Sequence, residues 1–140
     1  MNKYVILLLV SLTASSSLAT TNPCPDILGI YFDESADTNC SNQIFFTPFS
    51  VYVVITNPSS DSVFSVEFGY TVVPSVPGSL FRASTVLPPG ATNIGDSSDV
   101  LTGSYILGIE TPIPGNGQNV TVVTWSFMLL ADMTVSCQLK

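Results

Sequence analysis

The sequence predicts an all-β fold: an antiparallel β-sandwich, jelly-roll or immunoglobulin-like, of about seven to nine short strands behind a leader peptide. Three observations point there. Apolar side chains recur at every second residue in several windows, the period of a strand with one buried face. No window outside the leader shows the i, i+3, i+4, i+7 spacing of an amphipathic helix. Turn-forming residues, including 9 Gly and 10 Pro in 140 residues, divide the chain at short intervals.

The chain opens with Lys3 as a positive flank, an apolar run over residues 4–12, and small residues at Ser17 and Ala19. That is the layout of a secretory signal, with cleavage expected after Ala19. The apolar run is about half the roughly 20 residues a spanning helix needs, so a membrane anchor is not expected. Residues 1–19 are therefore read as leader and residues 20–140 as one domain. The chain is expected to be exported to the cell surface, the periplasm or the extracellular space.

Each later element has its own signal. Residues 27–32 form the first candidate strand. Residues 51–56 are rich in β-branched and aromatic side chains and form the second, with Pro48 at its start. Residues 57–62, Asn-Pro-Ser-Ser-Asp-Ser, are a turn cluster, and a hairpin or near-hairpin to the next strand is expected. In residues 63–72, Phe64, Val66, Phe68, Tyr70 and Val72 alternate with Ser65, Glu67, Gly69 and Thr71. Residues 80–87 are bounded by Pro77-Gly78 and Pro88-Pro89-Gly90. In residues 105–110, Tyr105, Leu107 and Ile109 share a face, and the segment runs out at Pro112 and the Pro114-Gly115-Asn116-Gly117 turn. In residues 120–130, Val123, Trp125, Phe127 and Leu129 share a face, and residues 134–139 close the series. Aromatics on one face of a central strand are usually core, so Phe64, Phe68, Tyr70, Trp125 and Phe127 are expected inside. A sugar-stacking platform is the other role Trp125 and Phe127 could fill.

Composition removes whole classes of function. The chain has no His, 3 Lys+Arg and 10 Asp+Glu, for a net charge of −7. Mechanisms that need histidine, from Ser-His-Asp hydrolysis to His-ligated zinc, are excluded. Nucleic acid is not an expected partner, because phosphate contacts need clustered Lys and Arg. With 46% hydrophobic and only 9% charged residues, the chain lacks the charge density of a disordered segment.

Three cysteines, Cys24, Cys40 and Cys137, follow the leader. Export permits disulfides, and three thiols allow one bridge with one left over. Cys24–Cys40 would close a short loop. Cys40–Cys137 would close one of roughly 100 residues and stabilise more in the chain-entropy picture. The sequence does not choose between them. Asp33, Asp37 and Asn39 gather hard oxygen donors in one short stretch, which makes a structural Ca²⁺ the one cofactor with a candidate site. A solvated acidic loop explains the same residues, and the EF-hand pattern is absent. Asp96 and Asp99 form a second acidic loop with the same two readings. A carboxylate pair for glycoside hydrolysis is open in principle with ten acids, but a small sandwich seldom provides a tuned cleft. Asn39-Cys40-Ser41 and Asn119-Val120-Thr121 match the N-glycosylation pattern, which bears only on a eukaryotic source.

Residues 51–73 and residues 121–130 resemble the opening and a late strand of cohesin-type modules, with residues 103–110 matching a middle strand. No Asp follows Tyr70, where such modules often have one. The layout also resembles a group of uncharacterised secreted bacterial proteins that share Gly29-Ile30-Tyr31-Phe32-Asp33, Asn39-Cys40 and the Thr56-Asn57-Pro58 turn. The resemblance implies a β-sandwich and a non-catalytic adhesive role toward a protein or a carbohydrate. The expectation is a structural or binding module, with Ca²⁺-assisted carbohydrate binding and then a carboxylate hydrolase as alternatives.

Overall fold

The computed structural model describes residues 24–140, so the expected leader, residues 1–19, lies outside the described residues. None of the described residues is helical. The strands are β1 (Ile27–Tyr31), β2 (Pro48–Thr56), β3 (Ser62–Pro74), β4 (Leu80–Val86), β5 (Ala91–Asn93), β6 (Thr102–Pro114), β7 (Val120–Leu129) and β8 (Val135–Leu139). They form two four-stranded antiparallel sheets, ordered β1-β2-β7-β4 and β5-β6-β3-β8. The protein is an antiparallel β-sandwich of two open sheets.

The alternating segments of β6 and β7 bury the expected side chains. Tyr105 and Leu107 are each 1% exposed, and Trp125 is 0% exposed. Phe68 stacks on Tyr105 at 5.1 Å, Tyr70 meets Trp125 at 5.3 Å, and Trp125 meets Phe127 at 5.9 Å. Burying an indole without a partner for its N–H is costly. Here Trp125 Nε1 donates to the Tyr105 hydroxyl at 2.9 Å, joining β7 of one sheet to β6 of the other. Trp125 is therefore core and not a surface platform.

Turn chemistry closes the elements as the residues demand. At the β6–β7 connection, Gln118 N donates to Gly115 O at 2.7 Å, and the central Asn116 and Gly117 have φ of 46° and 72°. Two successive positive φ values make a type I′ turn, the geometry Asn-Gly favours. At the start of β5, Pro89 and Gly90 form a type II turn closed by Ala91 N on Pro88 O at 3.0 Å, with Gly90 at φ 73°. Pro48 opens β2, which lies between β1 and β7, so it marks a strand start and not an edge.

Two expectations are corrected. β2 and β3 do not form a hairpin: they lie in opposite sheets, and residues 57–61 cross between the layers. Val51 and Val53 of β2 and Phe68, Tyr70 and Val72 of β3 belong to one core cluster, which face-to-face packing satisfies. Phe64 is not core either; it is 62% exposed. A register shift between Val63 and Ser65 breaks the alternation, so Val63 turns inward at 8% exposure and Phe64 outward.

Candidate functional site

β1 and β8 are edge strands of their sheets and approach each other on one side of the sandwich. A cleft of about 1110 Å³ runs there. Its walls carry Leu28 and Ile30 of β1 and Cys137 and Leu139 of β8, and its inner end abuts the core at the buried Trp125 and Phe127. Residues 39–43 and 132–135 also line it. Asp132 is the sole carboxyl group on the lining.

The loop that follows β1 is organised by Asp33. Its carboxylate accepts from Ser35 Oγ at 2.6 Å, Asp37 N at 3.0 Å and Thr38 N at 2.6 Å. These bonds, led by the Ser35 hydroxyl, hold the Asp33 carboxyl well below its ordinary value. Asn119 Nδ2 donates to Ser35 O at 2.6 Å and ties the loop to the start of β7. Asp33 thus serves its own loop with both oxygens, while Asp37 and Asn39 are exposed. Among the described residues, no three His, Cys, Asp or Glu side chains gather as a metal site.

The second acidic loop follows the same logic. Asp96 accepts from Ser98 Oγ at 2.8 Å and Ser98 N at 3.2 Å, and Asp99 Oδ1 accepts from Leu101 N at 2.7 Å. Hydrogen bonds from Ser98 lower the Asp96 pKa, as those from Ser59 lower that of Asp26. The backbone carbonyls of this loop meet a cluster the sequence did not single out. Tyr70 OH donates to Asp99 O, and Arg82 Nη2 donates to Ser97 O. Arg82 Nη1 donates to the Tyr70 hydroxyl at 3.0 Å. Burial pushes the Tyr70 phenol up, and Arg82 opposes that shift. Arg82 stands on β4 of one sheet while Tyr70 and the loop belong to the other, so this contact ties the two layers together. The signal available beforehand was that Arg82 is an isolated cation inside an otherwise uncharged strand.

A second recess of about 440 Å³ lies near the β2–β3 crossing and has two acids, Asp26 and Glu67, on its lining. Asp26 accepts from Ser59 N at 2.8 Å and from Ser59 Oγ. Those bonds keep it ionised, the opposite of what a proton donor for glycoside cleavage requires.

The expected disulfide is not formed. Cys24, Cys40 and Cys137 are all free thiols and are not close enough to bridge. Cys24 precedes β1 and Cys40 follows it, so a strand of roughly 16 Å intervenes. Cys40 and Cys137 both border the cleft without meeting. Burial pushes the Cys137 thiol up to about 11.

No family model matches this chain, and neither does any curated protein or solved structure. No helix among the described residues is long and apolar enough to cross a membrane.

Proposed function

We propose that the chain is a non-catalytic binding module of the bacterial cell exterior, exported after loss of residues 1–19. One observation carries this reading: the larger recess is walled by apolar and neutral polar side chains, with Asp132 as its single carboxyl. Such a lining can hold a ligand by burial and hydrogen bonding. It offers no paired acid and base to turn a ligand over. The leader-like N-terminus supports export, and the single aromatic-rich core supports a rigid scaffold.

The test uses the chain recovered after export from a bacterial host. Its first residue is expected to be Thr20. Immobilised chain is challenged with an array of neutral and acidic glycans, and the same polysaccharides are assayed for release of reducing ends. Retention without release is the expected result. Release that disappears in Glu67→Gln would overturn the reading and move attention to the second recess.

A further inference from the structure

The four strands β1, β2, β7 and β4 contain no Asp, Glu or Lys, and their single charged side chain is Arg82. Its guanidinium is turned away to Tyr70 and the Ser97 and Ser98 carbonyls. All ten acids of the chain lie elsewhere, including Glu67 and Glu110 on the strands of the other sheet, both exposed. In a chain with net charge −7, one whole sheet face is thus free of charge.

That face is ordered in rows set by the strand register. Tyr31, Tyr52, Thr124 and Val86 align across the sheet, and Pro48, Met128 and Phe81 align at its other end. Between them runs a row of small hydroxyls, Ser50, Ser126 and Ser84. Phe81 is 48% exposed and Val86 59% exposed, both on the edge strand β4. Just beyond Pro48, Phe45 and Phe46 are 49% and 63% exposed.

We propose that this face is where a second copy of the chain docks, sheet on sheet, about a two-fold axis through the serine row. The row pattern is self-complementary under that operation, because the rotation lays the tyrosine row of one copy over the Pro48–Met128–Phe81 row of the other. Small serines at the axis allow close approach, and tyrosine, phenylalanine and methionine are side chains enriched at such contacts. Charge selects the face. Two copies repel through their carboxylates, so they can meet only where carboxylates are absent, with every acid left in water. Four strands about 4.8 Å apart and about eight residues long give a footprint of roughly 500 Å² per copy, or about 1,000 Å² in total. That lies at the low end for specific complexes, which fits a reversible dimer. This contact is independent of the cleft and of any ligand held there.

Sedimentation equilibrium of the exported chain tests the idea. A dimer is expected at concentrations of about 100 µM, with association strengthened by added NaCl because screening relieves the like-charge repulsion. Ser126→Glu and Ser84→Glu each place a carboxylate in the serine row and should weaken association at least tenfold. Ser84 is exposed on the edge strand, so its variant keeps the test decisive if Ser126→Glu fails to fold. Thr92→Glu, exposed on the other sheet, should leave association within about twofold. A chain that stays monomeric throughout that range overturns the proposal. So does equal weakening by Thr92→Glu, or retention of a glycan on this face with no self-association.

Discussion

Arg82 shows how much one side chain can hold. It is the cation that links β4 to Tyr70 and to the loop between β5 and β6, and it does so with the fixed fork of a guanidinium. Removing it leaves the Tyr70 hydroxyl and a loop carbonyl short of a charged donor. Arg82→Ala should cost about 2–3 kcal/mol in urea unfolding. Arg82→Lys should recover only part of that loss, because a single ammonium does not reproduce the fork. Equal stability of the alanine variant and the parent chain would remove this tie from the account. The cysteines give a second check. Cys24 and Cys40 are exposed, whereas Cys137 is half-buried with its thiol pushed up to about 11. At pH 8, Ellman's reagent should label two thiols quickly and the third far more slowly. Rapid labelling of all three contradicts the packing of β8.

Among the elements, the loop after β1 is built on a carboxylate, so it answers to pH. Asp33 is held below its ordinary value of 3.8, first by the Ser35 hydroxyl and then by backbone amides. A carboxyl depressed in the folded state adds stability above its unfolded pKa and loses it as acid protonates the folded form. Asp26 and Asp96 shift the same way. The melting temperature should therefore fall as pH drops from about 4 to 2. Asp33→Asn should start lower at pH 6 and fall less steeply over that window. An unchanged slope in the variant would mean that the loop bonds do not matter to folding. The elements also show what could be read in advance. The alternation at Tyr105-Leu107-Ile109 and at Val123-Trp125-Phe127-Leu129 marked buried faces that the structure confirms. The Asn-Gly and Pro-Pro-Gly turns were legible because only certain residues accept φ > 0 cheaply. The bulge that turns Phe64 outward was not, since an inserted residue reverses the faces without changing composition. β5, three residues long, left too short a pattern to read.

For the whole molecule, fold class followed from local pattern but strand order did not. β2 pairs with β7 and β3 with β6, partners far apart in the chain, and nothing near residue 57 announces that the turn crosses between layers. The cleft is a product of that order, because it exists only where β1 and β8 fall on the same side as unpaired edges. No residue spacing encodes it. The Asp33 loop, by contrast, was legible as a polar cluster, and the structure gives its first carboxylate a backbone-organising task. The charge-free sheet face was also written in the sequence, but it became a face only once the register aligned its rows.

All of this depends on two layers closing over one aromatic centre, and the chain carries a single tryptophan at that centre, Trp125. Tryptophan fluorescence of the native chain therefore reports one site without ambiguity. Emission should be blue-shifted and resistant to iodide, and it should move to the red on urea unfolding in step with loss of the β-sheet circular dichroism signal. Native emission already at the red, water-exposed position and quenched by iodide would place the indole on the surface and contradict the sandwich core.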